Sequence, residues 1–297
     1  MARILVTGAS GFIGSALASA LVDGGACVRG VSRMPLALPG VENVIVGDLS
    51  AKTNWRAALE GVDTVVHLAG PAHARFAEYE LKAQISDATG ALVAQAEAAG
   101  VSRFIYVSSI KAVAPRTYGN HALVEAGTPQ PGDAYGRAKL AAEAAVRKHP
   151  TLRPIILRPP LVHGPSAKAN FANLLRLADT PLPLPYADVR NRRSVLALSS
   201  FIAAIRALLA KPDGPAGVFH LADAPALSTG EIIGAVREGL GRKSNLFAAP
   251  WIATLGPDTL TESLAIDDSA FRSAYDLPPT NAVALLTQTA RAWKARI

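Results

Sequence analysis

Short apolar runs alternate with alanine-rich stretches over the first half of the chain, and the two patterns predict different secondary structure. The apolar runs are continuous in Val, Ile and Leu, which is typical of strands that are buried on both faces of a sheet. The alanine-rich stretches end at glycine or before proline, as helices do. Strands are predicted at 3–8, 26–33, 41–48, 63–70, 101–109 and 151–160, and helices at 15–25, 54–61, 76–100 and 134–149.

This alternation predicts an α/β fold, a Rossmann-type doubly wound parallel sheet with helices on both faces, because strand–helix–strand crossovers are right-handed. Proline and glycine punctuate the chain more densely after Pro160. We therefore expect a sheet domain over 1–160 and a smaller, mixed α/β substrate lobe over 161–297, interleaved with the sheet domain rather than joined by a clean linker. In this second part, helices are predicted at 170–179, 199–210, 229–240 and 281–296, and a strand at 218–222.

Composition removes several classes of protein. The 297 residues include one cysteine, Cys27, so neither an internal disulfide nor a cysteine-built zinc site is expected. The formal net charge of +7 is not concentrated in any run of five or more Lys or Arg, so nucleic acid is not an expected partner. No apolar run approaches the ~20 residues of a membrane helix. The first residues lack the order of a signal peptide, and we expect a cytoplasmic protein with no bound metal.

A glycine-rich loop follows the first predicted strand and opens the first helix. Its glycines are Gly8, Gly11 and Gly14, and Phe12 and Ile13 stand between them. Glycines at such a corner allow a tight turn, close approach of a dinucleotide pyrophosphate, and close packing of helix on strand. The helix N-terminus then presents N–H groups to the phosphates. The alternative is a corner that only requires small residues, but the strand–loop–helix context favours dinucleotide binding.

The end of the second predicted strand bears on the choice of cofactor. An acidic residue there would bind the ribose hydroxyls of NAD, whereas an arginine accommodates the extra phosphate of NADP. The chain has Ser32-Arg33 at this point, which favours NADP(H) over NAD(H). Asp48 ends the third strand and is a candidate for an adenine contact, or only a turn residue. The expected cofactor contacts are Gly8, Gly11, Phe12, Ile13, Gly14, Ser32, Arg33, Asp48, Leu49, Leu68, Ala69 and Lys139.

A phenol and an ammonium group stand four residues apart in a predicted helix, as Tyr135 and Lys139. That spacing places both on one face. A nearby lysine favours the phenolate, so Tyr135 could act as a general acid or base toward an alcohol or ketone. Ser109 ends the fifth strand and could bond the same substrate oxygen. A Tyr–Lys pair alone usually lies on the protein surface without a functional role. The upstream glycine loop favours the catalytic interpretation here.

These motifs, in this order, resemble the extended short-chain dehydrogenase/reductase superfamily, the NAD-dependent epimerase/dehydratase family. The resemblance is closest to its bacterial nucleotide-sugar 4-epimerase and 4-keto-reductase branch, and it covers nearly the whole chain. The motifs that carry it are TGASGFIG (7–14), HLAG (67–70), YVSS (106–109), SSIK (108–111), YGRAK (135–139), RPPLVHGP (158–165), GPSAKANF (164–171) and RRS (192–194).

The resemblance implies a role for each matched residue. Tyr135 would be the catalytic acid or base, and Lys139 would bind the nicotinamide ribose and tune Tyr135. Ser109 would be the catalytic hydroxyl, with Ser108 in its place if the alignment shifts by one residue. The substrate-binding residues would be Ser109, Asn170, which contacts the nucleotide or its phosphates, and Arg193, which holds the diphosphate; a surface salt bridge is the alternative for Arg193.

Two histidines and two departures from the family pattern complete the site predictions. His163 stands where the family has tyrosine and is expected to shape the cofactor pocket, and His67 is expected to be a core histidine with satisfied hydrogen bonds. Gln84 or Ile85 occupies the position of a family asparagine, and the run 195–200 lacks an acid or asparagine found in relatives. Both departures bear on substrate identity rather than on the chemistry.

The function implied by the resemblance is NAD(P)-dependent hydride transfer at C4 of a nucleotide sugar. Reduction of a 4-keto UDP-sugar in the synthesis of a surface-polysaccharide precursor is favoured. The alternatives are a UDP-sugar 4-epimerase with tightly bound NAD, a non-catalytic dinucleotide-binding regulator, and an enzyme of a non-nucleotide ketone. The alanine-rich faces at 83–99 and 138–146 would permit a homodimer, although such faces are as often core.

Overall fold

A computed structural model describes residues 2–71, 76–119, 121–167, 169–252 and 256–296. The chain divides into two compact units whose segments alternate along the sequence. The sequence analysis placed one boundary after residue 160 and expected the two parts to interleave. Unit 1 is Met1–Pro115, Gly127–Arg158 and Asp213–Phe219, and unit 2 is Arg116–Ala126, Pro159–Pro212 and His220–Ile297.

The larger sheet confirms the predicted fold class. Its described strands lie in the order β3-β2-β1-β4-β5-β6-β9, and each pair from β3 to β6 is parallel. The order reverses between β1 and β4, which is where open α/β sheets bind ligands beyond the carboxyl ends of their strands. The strands are β1 (Arg3–Thr7), β2 (Cys27–Ser32), β3 (Val41–Ile45), β4 (Thr64–His67), β5 (Arg103–Val107), β6 (Ile155–Arg158) and β9 (Gly217–His220).

Helices cover this sheet in the predicted order. The predicted helix over 76–100 is divided into α3, a π-helical segment at Lys82–Asp87, and α4. Leu5, Val65 and Phe104 of the central strands are fully buried. Each such side chain contributes roughly 1.5–3 kcal/mol by leaving water. The helices are α1 (Phe12–Asp23), α2 (Arg56–Leu59), α3 (Glu78–Leu81), α4 (Ala88–Ala98) and α5 (Ala134–Arg147), with 3-10 turns at Ile110–Ala112 and Pro150–Leu152.

Unit 2 contains a second, three-stranded sheet that the sequence pattern did not predict. In the order β10-β8-β7, β10 is antiparallel to β8 and β7 is parallel to it. The four longer helices of the unit lie where they are predicted, at α6, α7, α8 and α11. The strands are β7 (Leu161–His163), β8 (Arg193–Ala197) and β10 (Asp223–Leu227), and the helices are α6 (Ala169–Ala178), α7 (Leu198–Ala210), α8 (Thr229–Gly239), α9 (Asp258–Thr261), α10 (Ser269–Ala274) and α11 (Ala282–Lys294).

Candidate active site

The glycine loop between β1 and α1 has the close contacts that a dinucleotide cradle requires. Gly8 has a φ of +69°, and its carbonyl oxygen accepts a hydrogen bond from the Gly11 N–H at 2.9 Å. A β-carbon at position 14 would lie 2.2 Å from the Gly8 oxygen, so only glycine lets α1 pack this closely. Within the described chain no side chain caps the α1 N-terminus at Gly11. The loop therefore fits a dinucleotide, whose phosphates would bind the N–H groups of the first turn.

The ends of β1 and β4 are joined through the hydroxyl of Thr7. Its Oγ1 accepts hydrogen bonds from the backbone N–H groups of Leu68 and Ala69, both at 3.1 Å, and lies 2.7 Å from Nδ1 of His67. Because two N–H groups occupy the oxygen lone pairs, the hydroxyl proton points to Nδ1. Thr7 thus fixes the backbone of Leu68 and Ala69, two of the expected cofactor contacts, close to Gly8.

His67 is a core histidine, as expected. With Nδ1 accepting from Thr7, Nε2 carries the ring proton and donates to Oγ1 of Thr89 at 3.0 Å. Burial lowers the pKa of His67 to about 3, and the charge of Lys139 acts in the same direction. The ring is therefore neutral and supports the site without exchanging protons.

The two residues at the end of β2 that are expected to select the cofactor, Ser32 and Arg33, differ in exposure and in hydrogen bonding. Ser32 is buried, and its hydroxyl donates to the Met34 carbonyl and accepts from the Asn43 amide. Arg33 is exposed, and its guanidinium lies 3.3 Å from a carboxylate oxygen of Asp48, which is also exposed. Arg33 and Asp48 are hence accessible to a ligand, whereas the Ser32 hydroxyl is already bonded within the protein.

The two serines at the end of β5 face different partners. The side chain of Ser109 interacts with that of Tyr135 and acts to lower the pKa of the phenol. Ser108 is buried and donates to Oε1 of Glu143 at 2.6 Å. The structure thus brings Ser109 rather than Ser108 to the tyrosine, in the alignment that the sequence analysis preferred.

Lys139 is buried one helical turn after Tyr135, on the same face of α5. Its Nζ donates to the Val107 carbonyl at 3.0 Å and lies 5.9 Å from the centre of the Tyr135 ring. Burial lowers the pKa of Lys139 to about 8, while the charge of Glu143 acts in the opposite direction. The ammonium group is therefore held at a fixed point near the phenol, and is charged at neutral pH.

The Tyr135 phenol is held in its protonated form. Burial raises the pKa of Tyr135 to about 12, the charge of Asp133 raises it further, and the interaction with Ser109 acts in the opposite direction. The phenol is thus protonated at neutral pH. Its conversion to phenolate is opposed by burial, and a neighbouring cation such as Lys139 favours it.

The N-terminus of α5 contains functional candidates that the sequence reasoning missed. Asp133 caps the helix by accepting the Gly136 N–H at 2.7 Å, and its other oxygen lies 2.8 Å from Nζ of Lys111. A β-carbon at Gly136 would lie 2.2 Å from the Lys111 carbonyl oxygen. An aspartate directly before a predicted helix is a capping signal, so the cap was detectable; its pairing with Lys111 was not.

A buried ion pair anchors α5 to β6. Arg158 donates to both carboxylate oxygens of Glu143, through Nε at 2.9 Å and a terminal nitrogen at 2.7 Å. Arg147 adds a bond from the helix surface at 2.7 Å. Glu143 also accepts from Ser108, so its carboxylate is bonded from two strands and from its own helix. This fixes the position of α5, the helix of Tyr135 and Lys139.

Two of the predicted substrate residues, Asn170 and Arg193, belong to unit 2, whereas Ser109 belongs to unit 1. A guanidinium nitrogen of Arg193 donates to the Glu262 carbonyl at 2.6 Å, and burial lowers the pKa of Arg193 while the Glu262 charge opposes this. Asn170 lies in the first turn of α6 and is exposed. Their contacts with a diphosphate stay a prediction.

His163 is buried within unit 2. Its Nδ1 lies 3.1 Å from Oγ1 of Thr289, and its ring stacks on Phe171 at 5.2 Å. Burial lowers the pKa of His163 to about 4. The imidazole is accordingly neutral at physiological pH.

The two departures from the family pattern lie at the π-helical segment and at the junction of β8 and α7. Ile85 is buried in the π-helical segment, and its side chain would meet a β-carbon placed at Gly70 at 3.7 Å. An apolar side chain therefore lies near the β4 end, and the assignment of Gln84 or Ile85 to the asparagine position stays a prediction. Residues 195–200 form the end of β8 and the start of α7.

No cluster of three or more His, Cys, Asp or Glu among the described residues could hold a metal ion, and no described helix is long and apolar enough to cross a membrane.

The doubly wound sheet, the glycine cradle and the Ser109–Tyr135–Lys139 group together define an NAD-dependent enzyme of the extended short-chain dehydrogenase/reductase type. The chain belongs to the NAD dependent epimerase/dehydratase family, whose sequence profile matches residues 4–222.

Similar proteins include sugar-nucleotide enzymes. A UDP-glucose 4-epimerase of Vibrio cholerae is 32% identical over 240 residues, which are 77% of this chain and 73% of that protein. The structure of UDP-N-acetylglucosamine 4-epimerase from Bacillus cereus superposes with a TM-score of 0.81 at 21% identity, covering 99% of this chain and 98% of the other. MoeE5 in complex with UDP-glucose and NAD has a TM-score of 0.80 at 25% identity, covering 99% of both chains.

Proposed function

We propose that this protein transfers hydride at C4 of a nucleotide sugar, with UDP as the nucleotide. The observation that carries the proposal is the interaction of Ser109 with Tyr135 next to the buried Lys139, on the same unit as the glycine cradle. A serine and a tyrosine hydroxyl that lie near each other can bind one substrate oxygen between them. A bound nicotinamide supplies or accepts the hydride.

Tyr135 exchanges the proton that accompanies this hydride. In reduction of a 4-keto sugar, C4 gains the hydride, the C4 oxygen gains a proton from Tyr135, and the product is an alcohol. The high pKa of Tyr135, raised to about 12 by burial, suits a proton donor. Ser109 donates to the same oxygen, and the Lys139 cation stabilises the phenolate that remains.

A UDP-sugar substrate is supported by residues of unit 2 and by the relatives. Arg193 provides a planar, permanently charged guanidinium, which suits a diphosphate. Asn170 is an exposed amide in the first turn of α6, where an anionic group is favoured. The Vibrio relative is named for UDP-glucose, and MoeE5 was crystallised with UDP-glucose and NAD.

The arginine at the end of β2 favours NADPH as the cofactor, and therefore favours reduction. Arg33 is exposed at this strand end, and its guanidinium, which lies 3.3 Å from Asp48, would pair with a 2′-phosphate in place of that carboxylate. A 4-keto UDP-sugar in the synthesis of a surface-polysaccharide precursor is the proposed substrate. The second candidate is 4-epimerisation with retained NAD, which the name of the Vibrio relative favours.

The substrate class is tested by UDP binding to Arg193→Ala, measured by isothermal titration calorimetry. The matched control is Arg192→Ala, because Arg192 is the neighbouring arginine and is exposed beside Glu231 at 3.5 Å. We expect UDP affinity to fall roughly tenfold or more in Arg193→Ala, since a hydrogen bond from a charged group contributes about 1.5–3 kcal/mol. Unchanged UDP affinity in Arg193→Ala would instead favour a non-nucleotide ketone.

A further inference from the structure

The segments that carry Ser109 and Tyr135 are locked together by side chains that the proposed chemistry does not use. The Ser109 hydroxyl accepts the Lys111 N–H at 3.3 Å, and Nζ of Lys111 lies 2.8 Å from Oδ2 of Asp133. The other oxygen of Asp133 accepts the Gly136 N–H at 2.7 Å. A series of polar contacts therefore links Ser109, through the Lys111–Asp133 ion pair, to the first turn of α5, the helix that carries Tyr135.

The backbones of the two segments are also in contact. A β-carbon at Gly136 would lie 2.2 Å from the Lys111 carbonyl oxygen and 3.0 Å from its carbonyl carbon. The 3-10 turn and the α5 N-terminus therefore lie in direct backbone contact. The Lys111–Asp133 pair bridges the same two segments, two residues before Tyr135.

Asp133 is ionised at neutral pH and is two residues before Tyr135. Burial alone would raise the pKa of Asp133, but the hydrogen bonds from Lys111 and Gly136 and the charges of Lys111 and Arg137 outweigh burial and lower it. The charge of Asp133 in turn raises the pKa of Tyr135, after the larger effect of burial. One carboxylate consequently caps the helix and opposes ionisation of the phenol.

We propose that Lys111 and Asp133 are positioning residues that set the electrostatic field at the Tyr135 hydroxyl: the charge of Asp133 opposes loss of the phenol proton, and Lys111 limits the strength of that effect. This inference rests on the proposed role of Tyr135 as proton donor. It adds two residues that touch neither the substrate oxygen nor the reacting carbon in the proposed mechanism, yet fix the pH range in which Tyr135 can act.

Other charged and titratable groups surround Tyr135 and must stay unchanged for this effect to be isolated. Lys139 lies on the same helix, Tyr106 on β5 interacts electrostatically with Tyr135, and Arg137 is paired with Glu78 of α3 at 2.8 Å. The groups to be left intact in the variants are Lys139, Tyr106, Arg137, Glu78, His67 and Ser109.

The test compares Asp133→Asn and Lys111→Met with the control Lys211→Met. Asparagine caps a helix about as well as aspartate, so Asp133→Asn removes the charge and retains the cap. Lys211 forms an equivalent pair with Asp276 in unit 2, at 2.9 Å, and its side chain is 46% exposed, against 49% for Lys111. The exposure of the lysine is thereby matched, although Asp276 is more exposed than Asp133 and Lys211 also donates to the Ala274 carbonyl at 3.0 Å.

The direct readout is NMR of protein labelled with ¹³C at the tyrosine ζ-carbons. The chain has six tyrosines, and the Tyr135 signal is the one absent from Tyr135→Phe. We expect the pH at which this signal begins to titrate to fall in Asp133→Asn and to rise in Lys111→Met, each by on the order of half a pH unit. Circular dichroism limits the comparison to pH values at which each variant is folded.

The second readout is the pH dependence of kcat. The limb of the pH–kcat profile that reports ionisation of Tyr135 should shift to lower pH in Asp133→Asn and to higher pH in Lys111→Met. KM should change less than about twofold in both variants. Merely structural residues would change both variants in the same direction. The inference is overturned if the two variants shift alike, if neither shifts, or if Lys211→Met shifts as much.

The two proposals fail in different ways. If the titration of the Tyr135 signal moves in opposite directions in the two variants but the wild-type protein turns over no UDP-sugar, the inference about the electrostatic field is supported and the proposed function is wrong. If UDP-sugars are turned over but neither the Tyr135 signal nor the pH profile moves, the inference is wrong and the function stands.

Discussion

The side chain of Ser109 interacts with that of Tyr135, although 26 positions separate them in the sequence (135 less 109). The neighbouring Ser108 is turned to Glu143 instead, with 2.6 Å between Oγ and Oε1. Successive side chains at the end of a strand point in opposite directions, so one serine supports the core and the next reaches the candidate active site.

Alanine at each serine should have a different consequence. Ser109→Ala removes a donor to the substrate oxygen, so we expect kcat to fall about 100-fold with little change in stability. Ser108→Ala removes one donor from the buried Glu143, which should lower the free energy of unfolding by about 1–3 kcal/mol. Steady-state kinetics and urea unfolding of both variants check this. A larger loss of kcat in Ser108→Ala would reverse the assignment.

Gly136 should be irreplaceable for activity, because a β-carbon there overlaps the Lys111 carbonyl oxygen at 2.2 Å. Gly136→Ala is expected to displace the α5 N-terminus and lower kcat about 10- to 100-fold, since a small misplacement of a catalytic group is costly. Gly90→Ala is the control: Gly90 is also the third residue of its helix, and its β-carbon would lie 3.7 Å from Ala145. That change should stabilise the protein by about 0.5–1 kcal/mol through helix propensity. Equal kinetics in the two variants would contradict the account.

The two arginines on Glu143 should contribute unequally to stability. The Arg158 side chain is 2% exposed and that of Arg147 is 41% exposed. Removing a buried partner leaves a poorly compensated carboxylate, so Arg158→Met should cost about 3–5 kcal/mol. Arg147→Met should cost at most about 1 kcal/mol, as for a surface pair. Urea unfolding at neutral pH distinguishes them, and similar costs would mean that burial of the pair does not govern its strength.

His67 should make the protein sensitive to acid. Burial lowers the pKa of His67 from 6.5 to about 3, so between these values the unfolded chain binds more protons than the folded one. The free energy of unfolding should therefore fall as the pH is lowered from 6.5 toward 3. His67→Gln removes this titration, and its unfolding free energy should depend less steeply on pH over that range. Parallel pH profiles for the wild type and the variant would exclude His67 as the cause.

The sequence predicted the larger sheet well because its strands are buried on both faces and are therefore continuously apolar. It did not predict β7, β8 and β10; β7 and β10 are only partly buried, and β10 contains Pro225. These strands obtain their conformation from pairing within unit 2 rather than from a pattern of their own.

Local spacing was equally informative for the candidate site, and distant pairing was not. The glycines of the loop and the Tyr135–Lys139 spacing follow from the geometry of one corner and one helix. The pairing of Lys111 with Asp133 joins residues 22 positions apart, and no periodicity encodes it. The choice between Ser108 and Ser109 required the strand end itself, because a shift of one residue turns a side chain to the other face.

The central claim is that Ser109, Tyr135 and Lys139 transfer hydride at C4 of a UDP-sugar. The most direct measurement incubates the wild-type protein and Tyr135→Phe with a UDP-4-keto-sugar and NADPH that carries deuterium at the transferred position, and determines the product mass. We predict one deuterium at C4 with the wild type and a rate at least about 100-fold lower with Tyr135→Phe. Transfer at an equal rate by Tyr135→Phe would contradict the account, as would a wild-type protein that neither reduces the ketone nor epimerises UDP-hexoses at C4.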